Sequence, residues 1–387
     1  MTQCNVCGEA LGAPIYKSGS TVSLTTMNAL IEGETTLHFC ETCGHTQTTA
    51  LDDLERYYAQ DYEINIDGDD DDQLYGVVDG AEVYRSDHQA NVLMQKVDLS
   101  KFSKVLDYGC AKAATLRKVR LNTPEVSSYL FDVTDKYVPF WEKFPDPKEY
   151  ASFQPDASWN GSIDVLLSFY ALEHTPKLHE ALSNVKNLLR TGGIFYFLVP
   201  NMYENAADFI VADHVNHFSK SSLTWLLESH GFEDIEIDET AHTAAFVVLA
   251  KLSASGDSEC SKSDVADIKA SKAKVVALAQ LWGGIVERVH QFEDEFSDEH
   301  PCAIYGAGIY GNFIYSCLKN PQRISRFIDQ NKYLVGKEIH GIPVVPPTQE
   351  VPNDIAVFVG LNPKSARSIM DTINVFEGKS PRFFFVE

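Results

Sequence analysis

Long apolar runs are missing from this chain. No stretch of about 18 or more apolar residues occurs in its 387 residues, which excludes a membrane-spanning helix. Basic charge is scarce as well: 32 Lys and Arg stand against 55 Asp and Glu, a formal net charge of −23. That deficit excludes DNA, RNA and anionic membranes as expected partners, since such polyanions are held by basic surface. It leaves room for a small anionic substrate in a local basic pocket. The start, Met1-Thr2-Gln3-Cys4, lacks the basic stretch and apolar segment of a secretory leader. The expectation is a cytoplasmic protein with reduced thiols and no structural disulfides. The apolar fraction of 44% is ordinary and, at this length, fills more than one core.

Cysteine is sparse but patterned. Cys4-Asn5-Val6-Cys7-Gly8 and Cys40-Glu41-Thr42-Cys43-Gly44 repeat one C-x-x-C-G knuckle. Each knuckle puts two thiolates on one turn, and four thiolates satisfy tetrahedral zinc. Residues 1–50 are therefore expected to be a zinc-binding domain with Cys4, Cys7, Cys40 and Cys43 as ligands, His45 being a nearby competitor. Four sulfurs leave no open position, so the ion is expected to be structural. Residues 51–100 read as a helical connection or lid. They hold Tyr57, Tyr58, Tyr62 and Tyr75, as core or as a cover over a cofactor. The run from Asp67 to Asp72 lacks the oxygen spacing of a calcium loop and reads as solvated charge.

Strand, helix and turn signals alternate over residues 101–252, the pattern of a parallel sheet covered on both faces. The apolar run Val105-Leu106 ends in Asp107, followed by the small-residue turn Tyr108-Gly109-Cys110-Ala111-Lys112-Ala113 and a helix. Such a turn lets backbone N–H groups approach a ligand. Alanine at 111 and 113, where glycines often stand, is expected to keep φ negative. Asp132 closes the next strand, Tyr129-Leu130-Phe131, where an acid can hold two ribose hydroxyls. Further on come Leu167-Ser168-Phe169, Leu172-Glu173-His174 and Leu188-Leu189-Arg190-Thr191-Gly192-Gly193. A third strand is expected near Tyr150 to Phe153, with Gln154 or Asp156 near an adenine.

This succession resembles the class I S-adenosylmethionine (SAM)-dependent methyltransferases. The resemblance implies an α/β fold with SAM held by Asp107, Gly109, Cys110, Ala111, Asp132, Val133, Ser168 and Phe169. His174 is implied to pack under the cofactor.

Residues 253–387 are expected to form a second Rossmann-like domain behind a leading helix. Gly306-Ala307-Gly308-Ile309-Tyr310-Gly311 follows a strand and precedes a helix, and Asp329 lies about 20 residues on, the dinucleotide pattern. No Tyr-Lys or Cys-His dehydrogenase constellation follows it. Part of a nucleotide-linked substrate, mere packing, or NAD are the readings left open.

The three-part order resembles the sugar C-methyltransferases of deoxysugar biosynthesis, over essentially the whole chain. It implies methylation of a carbon beside a ketone on a nucleotide-linked sugar, through an enolate-like intermediate. In that family a Tyr-His-Glu-His stretch and a later Y-F-S segment supply the base and its surroundings. Aligned on Phe218-Ser219, those four places hold Val211, Ala212, Asp213 and His214. The resemblance thus implies His214 as general base and Asp213 as the group orienting it or the substrate. His217 replaces the later tyrosine. Other class I methyltransferases carry His-x-x-His-Phe-Ser here as structure alone. O- or N-methylation, and a scaffold that only senses ligand, are the rival expectations.

Overall fold

The computed structural model describes residues 2–50, 72, 74–78, 81–254 and 264–387. Tyr57, Tyr58, Tyr62, the acids at 67–71 and residues 255–263 lie outside this set.

A seven-stranded sheet forms the centre. Its strands are β1 (Lys104–Tyr108), β2 (Ser127–Asp132), β3 (Lys148–Ser152), β4 (Ile163–Phe169), β5 (Leu189–Pro200), β6 (Phe232–Asp238) and β7 (Ala245–Leu252). They lie in the order β3-β2-β1-β4-β5-β7-β6. Pairing is parallel through β5, and β7 runs antiparallel to both β5 and β6. The inner strands read as unbroken apolar runs because helices cover both faces: Val165, Leu166 and Leu167 in β4 are all fully buried. Helix α1 spans Arg85–Lys96, α2 Ala114–Asn122 and α3 Leu178–Leu188. In α3 the buried set is Leu178, Ala181, Leu182, Val185 and Leu188, the i, i+3, i+4, i+7 stripe of a helix lying on a sheet. The chain leaves β1 toward β2 on one side and has β4 on the other. That reversal lies at the carboxyl ends of these strands, the usual ligand position in open α/β sheets.

The C-terminal sheet has β8 (Cys302–Tyr305), β9 (Ile324–Ile328), β10 (Glu338–Ile339), β11 (Ile342–Val345), β12 (Ala356–Val359) and β13 (Arg382–Phe385). The order is β10-β11-β9-β8-β12-β13, parallel except for the short β10. Two helices, Val265–Trp282 and Ile285–Glu293, lead into it.

The N-terminal segment makes a small antiparallel sheet of Tyr16–Lys17, Thr36–Phe39 and Thr46–Thr48. Its fourth strand is Asn216–His217, from the loop after β5. One apolar cluster joins Tyr16, Leu24, Leu37 and Phe39 to Phe209, Trp282 and Ile304. The three sections therefore share a core around residues 205–217.

Candidate active site

At the switch point the turn after β1 is built by backbone geometry. Gly109 has φ +75°, and a Cβ there would stand 2.9 Å from the Ala171 Cβ. The N–H groups of Gly109 and Cys110 both donate to the Phe131 carbonyl, at 2.8 and 3.0 Å. Ala111 and Ala113 adopt φ of +44° and +56°, contrary to the negative φ expected of alanine. The cause lies in the bonds that close the turn. Ala111 N–H donates to Asp132 Oδ2 at 2.9 Å, and its carbonyl accepts from Trp141 Nε1 at 2.7 Å. Tyr170, just past β4, is also left-handed, at +56°. Strained residues gather at ligand sites when the surroundings over-determine them.

Buried polar atoms near these strand ends lack partners. Among the described residues, Asp107 Oδ1 and Ser168 Oγ, in β1 and β4, make no hydrogen bond. Burial, then the Asp132 charge, pushes the Asp107 carboxyl up to about 8. A polar ligand over the turn would supply these bonds, and the donor set fits SAM. Asp132 serves the turn itself through the Ala111 bond. Cys110 is buried, Val133 is largely exposed and Phe169 is half-buried against Tyr196.

Beyond the turn lies a buried cluster of histidines and carboxylates. His214 Nδ1 is 2.5 Å from Asp208 Oδ1, and His217 Nδ1 is 2.9 Å from Asp208 Oδ2. Asp208 sits in the 3-10 turn Ala206–Ile210 and is the carboxylate that sequence reasoning missed. Its signal was the spacing of six residues to His214, which carries meaning only once the turn is folded. Asp213, expected to orient His214, instead accepts from the Thr26 N–H at 2.8 Å and the Thr26 hydroxyl at 2.5 Å. Asp213 stays in the cluster, with Oδ2 3.9 Å from His174 Nδ1, but the His214 ring is held by Asp208. His217 has both nitrogens engaged, the second with Thr48 Oγ1 at 2.8 Å, which makes it a fully buried strut. His174 Nδ1 lies 3.0 Å from the Asp213 carbonyl, and its ring meets that of His214 edge-on at 4.6 Å. It thus belongs to this cluster rather than to the turn. Burial depresses His174 to about 4. Burial would also depress His214, but Asp208 beside it lifts it to about 9. Asp208 is held low by the same pair, against its burial. Phe218 and Ser219 are structural: Phe218 is core, and Ser219 caps the helix Lys220–Glu228 with Ser222.

The four cysteines come together. Cys4 and Cys43 sulfurs are 3.6 Å apart, Cys7 and Cys40 3.4 Å, and all four lie within 4.8 Å of one another. Tetrahedral zinc with sulfur ligands near 2.3 Å spaces sulfurs by about 3.8 Å, so the donor set fits. The knuckles match in backbone as well: Gly8 N–H donates to Cys4 O and Gly44 N–H to Cys40 O, both at 2.9 Å. His45 turns away, with Nε2 at 3.2 Å from Asn216 Oδ1.

In the C-terminal turn Gly306 and Gly311 serve packing. A Cβ on Gly311 would stand 1.9 Å from the Gly306 carbonyl, and one on Gly360 2.3 Å from the Gly311 Cα. Asp329, at the place of the ribose acid, accepts from Ala307 N–H at 2.7 Å. Packing thus accounts for Gly306 and Gly311 of the dinucleotide-like pattern, whereas a Cβ on Gly308 would meet nothing within 4 Å.

Residues 84–237 match the family described as a methyltransferase domain. The C-methyltransferase NovU of Streptomyces niveus is 25% identical over 242 residues, covering 59% of this chain and 58% of that protein. The chain thus spans under two thirds of this curated relative. Among solved structures, human N-acetylserotonin methyltransferase in complex with SAM is similar at TM-score 0.36 and 16% identity, over 43% of this chain and 52% of that one. A SAM-dependent methyltransferase from Archaeoglobus fulgidus gives TM-score 0.35 and 17% identity, over 43% and 94%.

Proposed function

We propose that this chain, which carries a methyltransferase domain over residues 84–237, methylates carbon beside the ketone of a nucleotide-linked sugar. SAM, when bound, supplies an electrophilic methyl group. Gly109, Cys110 and Ala111 receive its methionine end, Asp132 and Val133 lie by the ribose, and Phe169 borders the adenine. Asp107 and Ser168 complete the polar lining. The observation that carries the reading is the Asp208–His214 pair, buried beside the switch point. O-methylation needs little more than positioning, whereas a weakly acidic C–H needs a group that manages its proton and the developing oxyanion. Asp208 holds Nδ1 of His214, so the acceptor is met through Nε2. The likeness to NovU supports carbon as the acceptor, and the three-part order supports a sugar. Cys4, Cys7, Cys40 and Cys43 hold a structural zinc in this reading.

The test is mass spectrometry of products from SAM and a panel of nucleotide-linked 4-keto sugars, with deuterium uptake followed at the carbon beside the ketone. A product heavier by one methyl group, with uptake lost in His214→Ala, is expected. A methylated product without uptake would move the acceptor to oxygen or nitrogen. SAM binding with neither product nor uptake across the panel would favour a ligand sensor.

A further inference from the structure

Glu173 is the least provided-for charged side chain near the site. It is 1% exposed, and both of its carboxylate oxygens are buried without a hydrogen-bond partner among the described residues. A buried carboxylate is ordinarily paired or bound to a metal, because leaving it unpaired is expensive. Its surroundings offer two imidazoles: one ligand atom each from Glu173, His174 and His214 lie within 4.8 Å of one another. Asp208 and Asp213, at 4% and 0% exposure, add two more buried carboxylates to the same cluster.

The outer contacts are those of ligating histidines. His214 has its Nδ1 on the Asp208 carboxylate, and His174 has its Nδ1 on the Asp213 carbonyl at 3.0 Å. A carboxylate or backbone carbonyl on one ring nitrogen fixes the tautomer and prepares the other nitrogen for a metal. Asp208 is itself braced by His217, and His217 by Thr48. The supports of both histidine donors are thus in place before any ion arrives.

We propose that Glu173, His174 and His214 bind a divalent transition-metal cation through one carboxylate and two Nε2 atoms, at a site separate from the four cysteines. Two imidazoles and a carboxylate suit first-row cations and leave coordination positions open to oxygen ligands. The ion-binding part stands on the cluster alone; its chemical consequence rests on the proposed function. There the cation faces the acceptor's ketone oxygen and takes up developing negative charge. With the cation bound, His214 Nε2 is its ligand and acts on the acceptor through it, in place of the direct contact of the proposed function.

Mn2+ is the probe, since oxygen and nitrogen donors bind it while thiolates favour zinc. The whole chain, with its zinc content measured, is titrated with Mn2+, and loss of the free-ion electron paramagnetic resonance signal is read. The expected result is one Mn2+ per chain, weakened at least tenfold in Glu173→Gln and in His214→Asn. S-adenosylhomocysteine binding and zinc content should stay unchanged in both. No Mn2+ binding by the unaltered chain, or binding unchanged in both variants, would overturn the proposal. A Co2+ spectrum of the unaltered, zinc-loaded chain gives a reading free of mutation. Ligand-field bands without sulfur charge transfer support the site, and sulfur charge transfer alone overturns it. Loss of S-adenosylhomocysteine binding by the unaltered chain would count against the methyltransferase reading and leave the metal result standing.

Discussion

At the scale of single residues, the site is set by backbone conformations and by which carboxylate meets which histidine. Gly109 and Ala113 make opposite predictions. Gly109→Ala adds a Cβ at 2.9 Å from Ala171 on a φ of +75°, so it should destabilise by about 1–3 kcal/mol and weaken S-adenosylhomocysteine binding. Ala113→Gly releases a left-handed alanine, and its gain is offset by the greater freedom of glycine in the unfolded chain. The unfolding free energy from urea titration should fall for the first and move by no more than about 1 kcal/mol for the second. A large loss in Ala113→Gly would mean that its methyl, buried in the core, matters more than its strain. The carboxylates separate similarly. Asp208→Asn should lower turnover by roughly 100-fold or more, since it removes the charge beside both His214 and His217 and leaves an acceptor for only one of them. Asp213→Asn should act mainly on stability, through Thr26. Equal effects on turnover would contradict this division.

At the scale of elements, one carboxylate fixes how the central strands line up. Asp164, at the start of β4, accepts from the Ser103 and Lys104 N–H groups, both at 2.9 Å, and from Arg190 Nε at 2.5 Å. It thereby ties the entry to β1 to the start of β5. Burial opposes its charge, but Arg190 and the two amides hold its carboxyl below the usual range. The sign follows from linkage: a depressed folded pKa adds stability above the unfolded value near 3.9, lost as pH falls through the folded one. Asp164→Asn should thus cost about 2 kcal/mol at neutral pH, and the gap from the unaltered chain should close in acid. A gap constant from pH 7 to pH 3 would refute this. The sheet itself was legible in the sequence because its information is local: apolar runs, an acid at a strand end and small residues in the turn. Asp208 was not, because its spacing of six to His214 has meaning only once the 3-10 turn is folded, and the pairing of Asn216–His217 with Thr46–Thr48 was not, because it joins residues far apart in the chain. Asp213 and His214 are adjacent in sequence, and that nearness pointed to the wrong carboxylate.

At the scale of the whole molecule, residues 205–217 are gripped from two sides, and the grip ties the cysteine cluster to the acceptor end of the site. From the C-terminal side, the Tyr310 hydroxyl accepts from Ala207 N–H at 3.1 Å, and Trp282 Nε1 donates to the Ala206 carbonyl at 2.9 Å, holding the turn that carries Asp208. From the N-terminal side, Ala212 N–H donates to Leu24 O, Thr48 N–H to Val215 O, and Asn5 Nδ2 to Asn216 Oδ1. Asn5 lies between Cys4 and Cys7, so the knuckle that holds two thiolates also holds the loop. Four thiolates without a cation repel one another, and so small a segment has little core of its own to resist. Removing zinc should free the N-terminal side while leaving the turn at Gly109 and the grip of Tyr310 and Trp282 in place. Hydrogen exchange on the chelated chain should show faster amides at 212–217 and in strand Thr46–Thr48. Those of β1 and β4 should be unchanged, with S-adenosylhomocysteine still bound. Turnover should fall because Thr48 no longer steadies His217, and His217 no longer steadies Asp208. Unchanged protection at 212–217 after confirmed metal loss would show that apolar packing alone holds the loop. Collapse of protection throughout β1 to β5 would show instead that the cysteine cluster supports the whole sheet.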